Sequence, residues 1–390
     1  MSGAAFIAPG ATLGVMGGGQ LGRMFVHAAQ RMGYFTAVLD PDPNSPAGRV
    51  AHHHLQADYL DPDALARLAA LSAAVTTEFE NVPAAALAAL AGRIPGGRVA
   101  PTAQSVAVCQ DRAAEKAHFG RCGVPCAPYA LIDSADSLAK VDPGLFPAIL
   151  KTARLGYDGK GQVAVADAHA LATAWAELGG AACVLEQRLD LALELSVIVA
   201  RSATGEIVHL PPQQNLHRRG ILAVTLVPAL AIAADLQAAA IASAYRLAAS
   251  IDHVGVLCVE FFVLRDGSLV ANEMAPRPHN SGHPSLDACD VSQFELQVRA
   301  MTGAPLTSPR LHSPCVMLNL LGDLWQRGTV ATEPDWAGVL GLPGVHLHLY
   351  GKVEPRPGRK MGHLSVTAAS PDAAFAVAGE CAARLGIEAF

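Results

Sequence analysis

The chain reads as a mixed α/β protein of two or three domains, with a parallel, helix-covered sheet first and strand-rich α+β segments after it. Three observations carry that reading. The first hundred residues alternate short apolar strands with helical stretches, a later region places Gly-rich and Asp-Gly turns between strand patterns, and 390 residues exceed what one core ordinarily holds.

Bulk composition narrows the class further. Hydrophobic residues make up 51% of the chain, much of it alanine, and no uninterrupted apolar run approaches the roughly 20 residues a membrane helix needs. The opening Met1-Ser2-Gly3-Ala4-Ala5-Phe6 has no basic region leading into an apolar core, so no signal peptide is expected. Cysteines at 109, 122, 126, 183, 258, 289, 315 and 381 show neither a paired framework nor zinc-site spacing. They predict reduced, mostly buried thiols in a cytoplasmic enzyme. A net charge of −6 without long basic blocks argues against a nucleic-acid surface. The expected partners are small molecules, with neither nucleic acid nor membrane among them.

The front sheet is expected from apolar residues 13–16, 37–39 and 74–77, with helices from about Gln20, after Pro62 and after the third strand. Gly17-Gly18-Gly19-Gln20-Leu21-Gly22 joins the first strand to the first helix and satisfies G-x-G-x-x-G. Three readings stand side by side. The loop could bind a dinucleotide with Asp40 on its ribose, cradle the phosphate of a small substrate, or only pack helix on strand. The third strand runs into Glu78-Phe79-Glu80-Asn81 at the carboxyl end of the sheet, where Glu78, with Glu80 in reserve, could accept hydrogen bonds from sugar hydroxyls. His52-His53-His54 lies on a strand pattern and reads as a solvated edge, not a metal tract. Gly96-Gly97 and Pro101 mark a nearby domain boundary, after which Asp111 caps a new helix beginning at Arg112.

In the second region a strand ends at Lys151, and Gly156-Tyr157-Asp158-Gly159-Lys160-Gly161-Gln162 turns into another strand. A Gly-rich loop between two strands resembles a flap over nucleotide phosphates more than a P-loop, which needs Gly-Lys-Ser/Thr running into a helix. A buried strand then stops at Glu186-Gln187-Arg188-Leu189, a polar segment suited to flank an adenine, and Glu194 follows within reach of ribose hydroxyls. Further on, two strand patterns flank Asp266-Gly267, a strong hairpin signal. If Arg265 faces Ser268, then Glu260 faces Glu273. Opposed carboxylates among Val, Phe and Met repel and lose hydration, so a cation is expected between them, with Asn272 as a neighbouring oxygen donor.

The order of these segments resembles the ATP-grasp enzymes, over nearly the whole chain. The Gly17–Gly22 loop, Glu78-Phe79-Glu80-Asn81, the loop at 156–162, Asn272-Glu273-Met274-Ala275-Pro276-Arg277-Pro278-His279-Asn280-Ser281-Gly282-His283, and Tyr350-Gly351-Lys352 with Arg359-Lys360-Met361-Gly362-His363 are similar to the N5-carboxyaminoimidazole ribonucleotide synthase family. The resemblance implies an ATP-grasp fold with a Rossmann-like pre-ATP-grasp domain (1–110), an ATP-grasp domain (111–310, small lobe about 120–190) and a small β-rich C-terminal domain (311–390). It implies ATP- and bicarbonate-dependent carboxylation of 5-aminoimidazole ribonucleotide through carboxyphosphate, with ATP and Mg2+ required and a homodimer as the assembly. ATP would be held by Arg112, Lys151, Gly156, Tyr157, Asp158, Gly159, Lys160, Gly161, Gln162, Glu186, Gln187, Arg188, Leu189, Glu194, His217, Asn272 and Glu273, with magnesium between Glu260 and Glu273. The ribonucleotide would meet Gln20, Leu21, Glu78, Asn280, Lys352 and Arg359. Asp158, Lys160 and His283 would form the carboxylation centre, His283 standing among turn residues that favour presenting a side chain.

Three other functions fit parts of this pattern. A formate-dependent glycinamide ribonucleotide transformylase would share the fold and the phosphate contacts. A nicotinamide-dependent dehydrogenase would use the Gly17–Gly22 loop and have no need of the carboxylate pair, and a nucleotide sensor would bind ATP without turnover.

Overall fold

The computed structural model describes residues 5–156, 161–326 and 332–390, so Tyr157, Asp158, Gly159 and Lys160 lie outside the described residues. The front sheet is parallel, in the order β3 (His53–Leu55), β2 (Phe35–Leu39), β1 (Thr12–Met16), β4 (Ala74–Thr77). Alternation along β1 serves two cores. Leu13 and Val15 pack on Phe25 and Val26 of the helix Gln20–Arg31, while Met16 joins Leu65 and Leu68 of the helix Pro62–Leu71 on the other face. Strands buried on both faces are what a parallel sheet under two helix layers requires. Asp61 caps the second of these helices by accepting from Asp63 and Ala64, with Pro62 in the first turn, where its missing N–H costs nothing.

The small lobe is an antiparallel sheet in the order β5 (Tyr129–Ile132), β8 (Cys183–Gln187), β6 (Ala148–Thr152), β7 (Gln162–Val165). Lys151 pairs with Gln162, so the Gly-rich segment does link two neighbouring strands. Ile132, Leu150, Val165 and Leu185 bury one face against Leu171 and Ala174 of the helix Ala168–Glu177.

The large lobe and the C-terminal segment share one sheet. Its path runs β14 (Leu269–Ala275), β13 (Gly255–Leu264), β9 (Leu191–Arg201), β11 (Gln213–Arg218), β12 (Ile221–Val227), β15 (Cys315–Leu321), β17 (Lys360–Thr367), β16 (Val345–Leu349), with β10 (Ile207–His209) on β9. Pairing of Val227 with Cys315 carries the sheet across residue 311, while the helix Pro371–Leu385 supplies the last segment with a core of its own on Leu318, Leu364 and Cys381. Helix Ala234–Ser250 covers one face of the large lobe and helix Gln293–Thr302 the other. All eight cysteines are unbonded thiols, four of them buried, and no helix among the described residues is long and apolar enough to cross a membrane.

The hairpin β13–β14 departs from the expected register at the turn and recovers it at the carboxylates. Leu264, not Arg265, closes on Ser268, leaving a three-residue loop in which Gly267 takes the left-handed conformation at φ 83°. Val263 therefore faces Leu269 and Phe261 faces Ala271. A bulge then lets Asn272 stand unopposed, so that Glu260 faces Glu273. Two one-residue offsets cancel, and the carboxylates meet as expected for a reason the turn alone does not contain.

Phe261, next to Glu260, is 1% exposed and packs with Val197, Leu247 and Met274 in the core behind the hairpin. Phe261→Ala should cost about 3–5 kcal/mol. Chemical denaturation checks this, and a loss below about 1 kcal/mol would mean that the hairpin is not anchored through this ring.

Candidate active site

The Gly-rich loop of the front sheet binds the protein's own carboxylates. Glu78 accepts from the Gly19 and Gly22 amides at 2.7 and 2.8 Å, and Asp40 accepts from Gly18 at 2.6 Å and from the Tyr59 hydroxyl at 2.7 Å. A side chain on Gly19 would collide with the Glu78 carboxylate, and one on Gly18 would meet Ser45 and Asp40. The glycines thus admit Glu78 and Asp40 to the start of helix Gln20–Arg31, which no side chain of its own caps. A dinucleotide pyrophosphate would find those amides occupied, and Asp40 is not available to a ribose. This corrects the dinucleotide reading of the loop and leaves a tight turn with Glu78 fixed at its mouth.

Glu78 opens onto a cleft of about 460 Å³. Of the sequence-predicted residues, Gln20, Leu21, Glu78, Arg112, Gly156, Glu260, Glu273 and Asn280 line it together. Glu273 receives Arg112 Nη1 at 3.1 Å. Desolvation in the cleft works to raise its carboxyl, and Arg112 with Lys151 overcomes this and holds it low; 40% of the side chain is open, so it is recessed, not sealed. Glu260 is the deprived partner. Burial first, and the charge of Glu273 next, lift its carboxyl from 4.5 to about 7, with His217 opposing. His279 Nε2 stands 3.7 Å from Glu260 Oε1, too far for a hydrogen bond.

The donor set fits a hard divalent cation. Glu260 Oε1 and Asn272 Oδ1 are buried oxygens without a hydrogen-bond donor among the described residues, and Glu273 is directly opposite Glu260. No group of three or more His, Cys, Asp or Glu side chains among the described residues could hold a metal ion, so a cation at this pair would take the rest of its shell from other oxygens.

Other expected residues surround the cleft without lining it. Lys151 Nζ lies 2.8 Å from Glu186, and Glu194 lies 2.5 Å from His217 Nδ1. Burial lowers the His217 imidazole, but the Glu194 hydrogen bond and the charges of Glu260 and Glu194 raise it overall. At the hinge, the Gln187 and Arg188 amides already donate to the Pro128 and Pro147 carbonyls, so those two are not donors for a base.

Three expectations need correction in placement. His283 is 1% exposed and sits among the rings of Phe294, Tyr350 and His363, with Gln293 on its Nδ1 at 3.1 Å; helix and strand packing, not the turn-rich sequence, sets its exposure. Lys352 does not line the cleft: its ammonium donates to the Lys360 carbonyl at 2.7 Å. Arg359 likewise donates to the Glu354 carbonyl at 2.8 Å. The adjacent Lys360 lines the cleft instead. Asn280 is at the wall, though its amide exchanges hydrogen bonds with Asn319 in both directions. His52 and His54 bond to Thr36 and Asp40 at the sheet edge.

Several cleft residues carried no individual assignment from sequence. Arg277 pairs with Glu80, joining the end of β14 to the end of β4; their mutual charge keeps the Glu80 carboxyl low against the effect of burial. Glu115 accepts from the Met274 amide at 2.6 Å, and burial, then Glu273, pushes its carboxyl up to about 8. The motif wording contained Arg277, His279 and Lys360, but only the long-range pairing reveals what each touches.

Comparison with known proteins places three family models along the chain: a ribonucleotide synthetase preATP-grasp domain over residues 10–110, an ATP-grasp domain over 117–294, and a phosphoribosylaminoimidazole carboxylase C-terminal domain over 315–376. The chain is 44% identical over 360 residues to the N5-carboxyaminoimidazole ribonucleotide synthase of Brucella melitensis, covering 92% of this chain and 96% of that one. It superposes on the ADP complex of an N5-carboxyaminoimidazole ribonucleotide synthetase with a TM-score of 0.89 at 39% identity, covering 99% and 98% of the two chains. The Aspergillus clavatus N5-carboxyaminoimidazole synthase, solved with ADP and 5-aminoimidazole ribonucleotide, matches with a TM-score of 0.86 at 30% identity over 96% and 98%.

The electrostatic strain at Glu260 predicts a stability difference with a defined sign. A carboxyl raised from 4.5 to about 7 holds its proton more tightly folded than unfolded, so it subtracts stability above pH 7 and ceases to do so below 4.5. Ligand-free Glu260→Gln should exceed the wild type by on the order of 1–3 kcal/mol at pH 8, the gap closing toward pH 4.5. Thermal unfolding across that range checks it; equal stability at pH 8 would contradict the deficit.

Proposed function

The chain belongs to the N5-carboxyaminoimidazole ribonucleotide synthase family, and we propose that it carboxylates 5-aminoimidazole ribonucleotide to N5-carboxyaminoimidazole ribonucleotide with ATP and bicarbonate, in purine biosynthesis. Bicarbonate takes the terminal phosphoryl group of ATP, releasing ADP. The carboxyphosphate formed breaks its carbon–oxygen bond to give carbon dioxide and phosphate. The exocyclic amine of the ribonucleotide then attacks the carbon, forming the C–N bond as it loses a proton. Such chemistry needs charge neutralisation and alignment more than a covalent nucleophile.

The observation that carries the assignment of roles is the opposed pair Glu260–Glu273 in one cleft with Arg112 and Glu78. Magnesium held by Glu260 and Glu273 would neutralise charge on the phosphates during transfer. Arg112 and Lys151 supply fixed positive charge on the nucleotide side, with the loop at 156–162, the hinge 186–189, Glu194, His217 and Asn272 completing the ATP contacts. Gln20, Leu21, Glu78 and Asn280 form the ribonucleotide wall, with Lys352 and Arg359 reaching its phosphate by rearrangement of the turn they flank. Asp158 and Lys160, outside the described residues, are proposed for the carboxylation step on the family resemblance, and His283 as a buried support behind it. Domain limits near 110 and 310, a homodimer and a cytoplasmic location belong to the same proposal.

Phosphate release from ATP should rise when 5-aminoimidazole ribonucleotide and bicarbonate are both present. No response would reject the assignment, and stimulation by formate with glycinamide ribonucleotide would establish the transformylase instead. Glu273→Gln should abolish that stimulated release while circular dichroism stays that of the wild type, because one of two carboxylates for the cation is lost. Near wild-type release would remove Glu273 from the metal site.

A further inference from the structure

Three consecutive residues around the cleft carboxylate are each gripped by one turn of the helix Arg112–Arg121. Lys116 donates to the Asn272 carbonyl at 3.3 Å, Arg112 to the Glu273 carboxylate at 3.1 Å, and Glu115 accepts from the Met274 amide at 2.6 Å. Positions 112, 115 and 116 share a helix face by their i, i+3, i+4 spacing. Lys116 is the unusual member. Its side chain is fully buried, a placement lysine adopts only when paired, and its ammonium also lies 3.2 Å from Glu186 Oε1. The second oxygen of Glu186 takes Lys151 at 2.8 Å. One carboxylate thus stands between two ammonium groups, one on a sealed side chain and one on a side chain 12% exposed.

We propose that Lys116 is a positioning residue for nucleotide binding: by sharing Glu186 it leaves Lys151 available to a phosphate, and by holding the Asn272 carbonyl it keeps that lysine in register with Glu273. The charge arithmetic is simple. Lys116, Glu186 and Lys151 together carry +1, the surplus a phosphate can use. Without Lys116 the remaining pair is neutral, and Lys151 is committed to Glu186. Burial works to raise the Glu186 carboxyl and the two ammonium groups outweigh it, so the carboxylate stays ionised between them. Lys116 has no place in the cleft lining, so its effect is transmitted through Glu186 and the β14 backbone. This rests on the ATP-dependent function proposed above.

The test is ADP binding, measured by calorimetry at fixed Mg2+, together with steady-state KM values for ATP and for 5-aminoimidazole ribonucleotide. Lys116→Met should weaken ADP and raise the KM for ATP on the order of 10- to 100-fold, with the ribonucleotide KM nearly unchanged. Lys116→Arg should recover much of the loss. The double variant Lys116→Met with Glu186→Gln restores a +1 charge through Lys151 alone and leaves no unpaired buried carboxylate, so it should bind ADP more tightly than Lys116→Met. It also keeps the test open if the single variant does not fold, since the double variant should still bind ADP through a Lys151 freed from Glu186. Wild-type ADP affinity in Lys116→Met with only a lower Tm would reduce Lys116 to a structural ion pair and overturn the proposal. So would a double variant that folds without binding ADP when Glu186→Gln alone binds it. A wild-type protein that binds no ADP would instead count against the proposed function itself.

Discussion

Two carboxylates face each other across adjacent strands at Glu260 and Glu273, and the rest of the cleft is arranged around the cost of keeping them there. That cost is divided unequally. Glu273 has the Arg112 guanidinium beside it and Lys151 nearby, while Glu260 has His279 at 3.7 Å, the more remote charges of His217 and Lys360, and an Oε1 with no donor among the described residues. In the ligand-free site the Glu273 carboxyl is therefore held low while that of Glu260 is raised to about 7. A divalent cation bound between them would remove the repulsion and satisfy the orphaned oxygens in one step.

How much of this was legible in the sequence depends on how local each cause is. The front sheet and its helices follow from apolar alternation, and the structure bears out every strand expected there. The hairpin followed from Asp266-Gly267, but its three-residue loop and the bulge at Asn272 did not, because both depend on pairing with β9 and on the anchorage of residues 272–274. The carboxylates were placed opposite each other by two errors that cancel. In the Gly17–Gly22 loop the motif was visible and its partner was not: the anion at those amides is a carboxylate brought from 56 to 59 residues away. His283 failed in the opposite sense. Its neighbours in sequence are turn formers, yet rings from helix Gln293–Thr302, Tyr350 and β17 enclose it.

Lys116 shows why buried ionic networks escape sequence reading. On the helix Arg112–Arg121 it lies between Glu115 and Ala117 in a polar stretch that local pattern would leave in solvent. Its partners are 70 and 156 residues distant, on two different sheets. Charged side chains are almost never sealed from water unless paired, so the information lies in the pairing and not in the residue type. The family resemblance supplied the residues expected to touch ligands, and geometry adds those that hold them.

The same logic separates the two halves of the reaction. Arg277 on the hairpin side is paired with Glu80 at the end of the front sheet, Gln297 bonds to Thr76 and to the Ala100 carbonyl, and Arg31 reaches Glu295. The carboxylate pair and the Glu78 wall are thereby tied into one unit. The small lobe joins that unit through other groups: Glu186 on Lys116, the Ala153 carbonyl on the Arg112 amide, and Ala271 on the Pro125 carbonyl. The distance from the Glu260–Glu273 pair to Glu78 is therefore set by the front sheet and the hairpin, whereas the position of Lys151 is set by the small lobe. Carboxyphosphate chemistry has a use for that division. The acceptor amine must be waiting at a fixed distance when carbon dioxide is released, and only the nucleotide side needs to adjust as ATP becomes ADP.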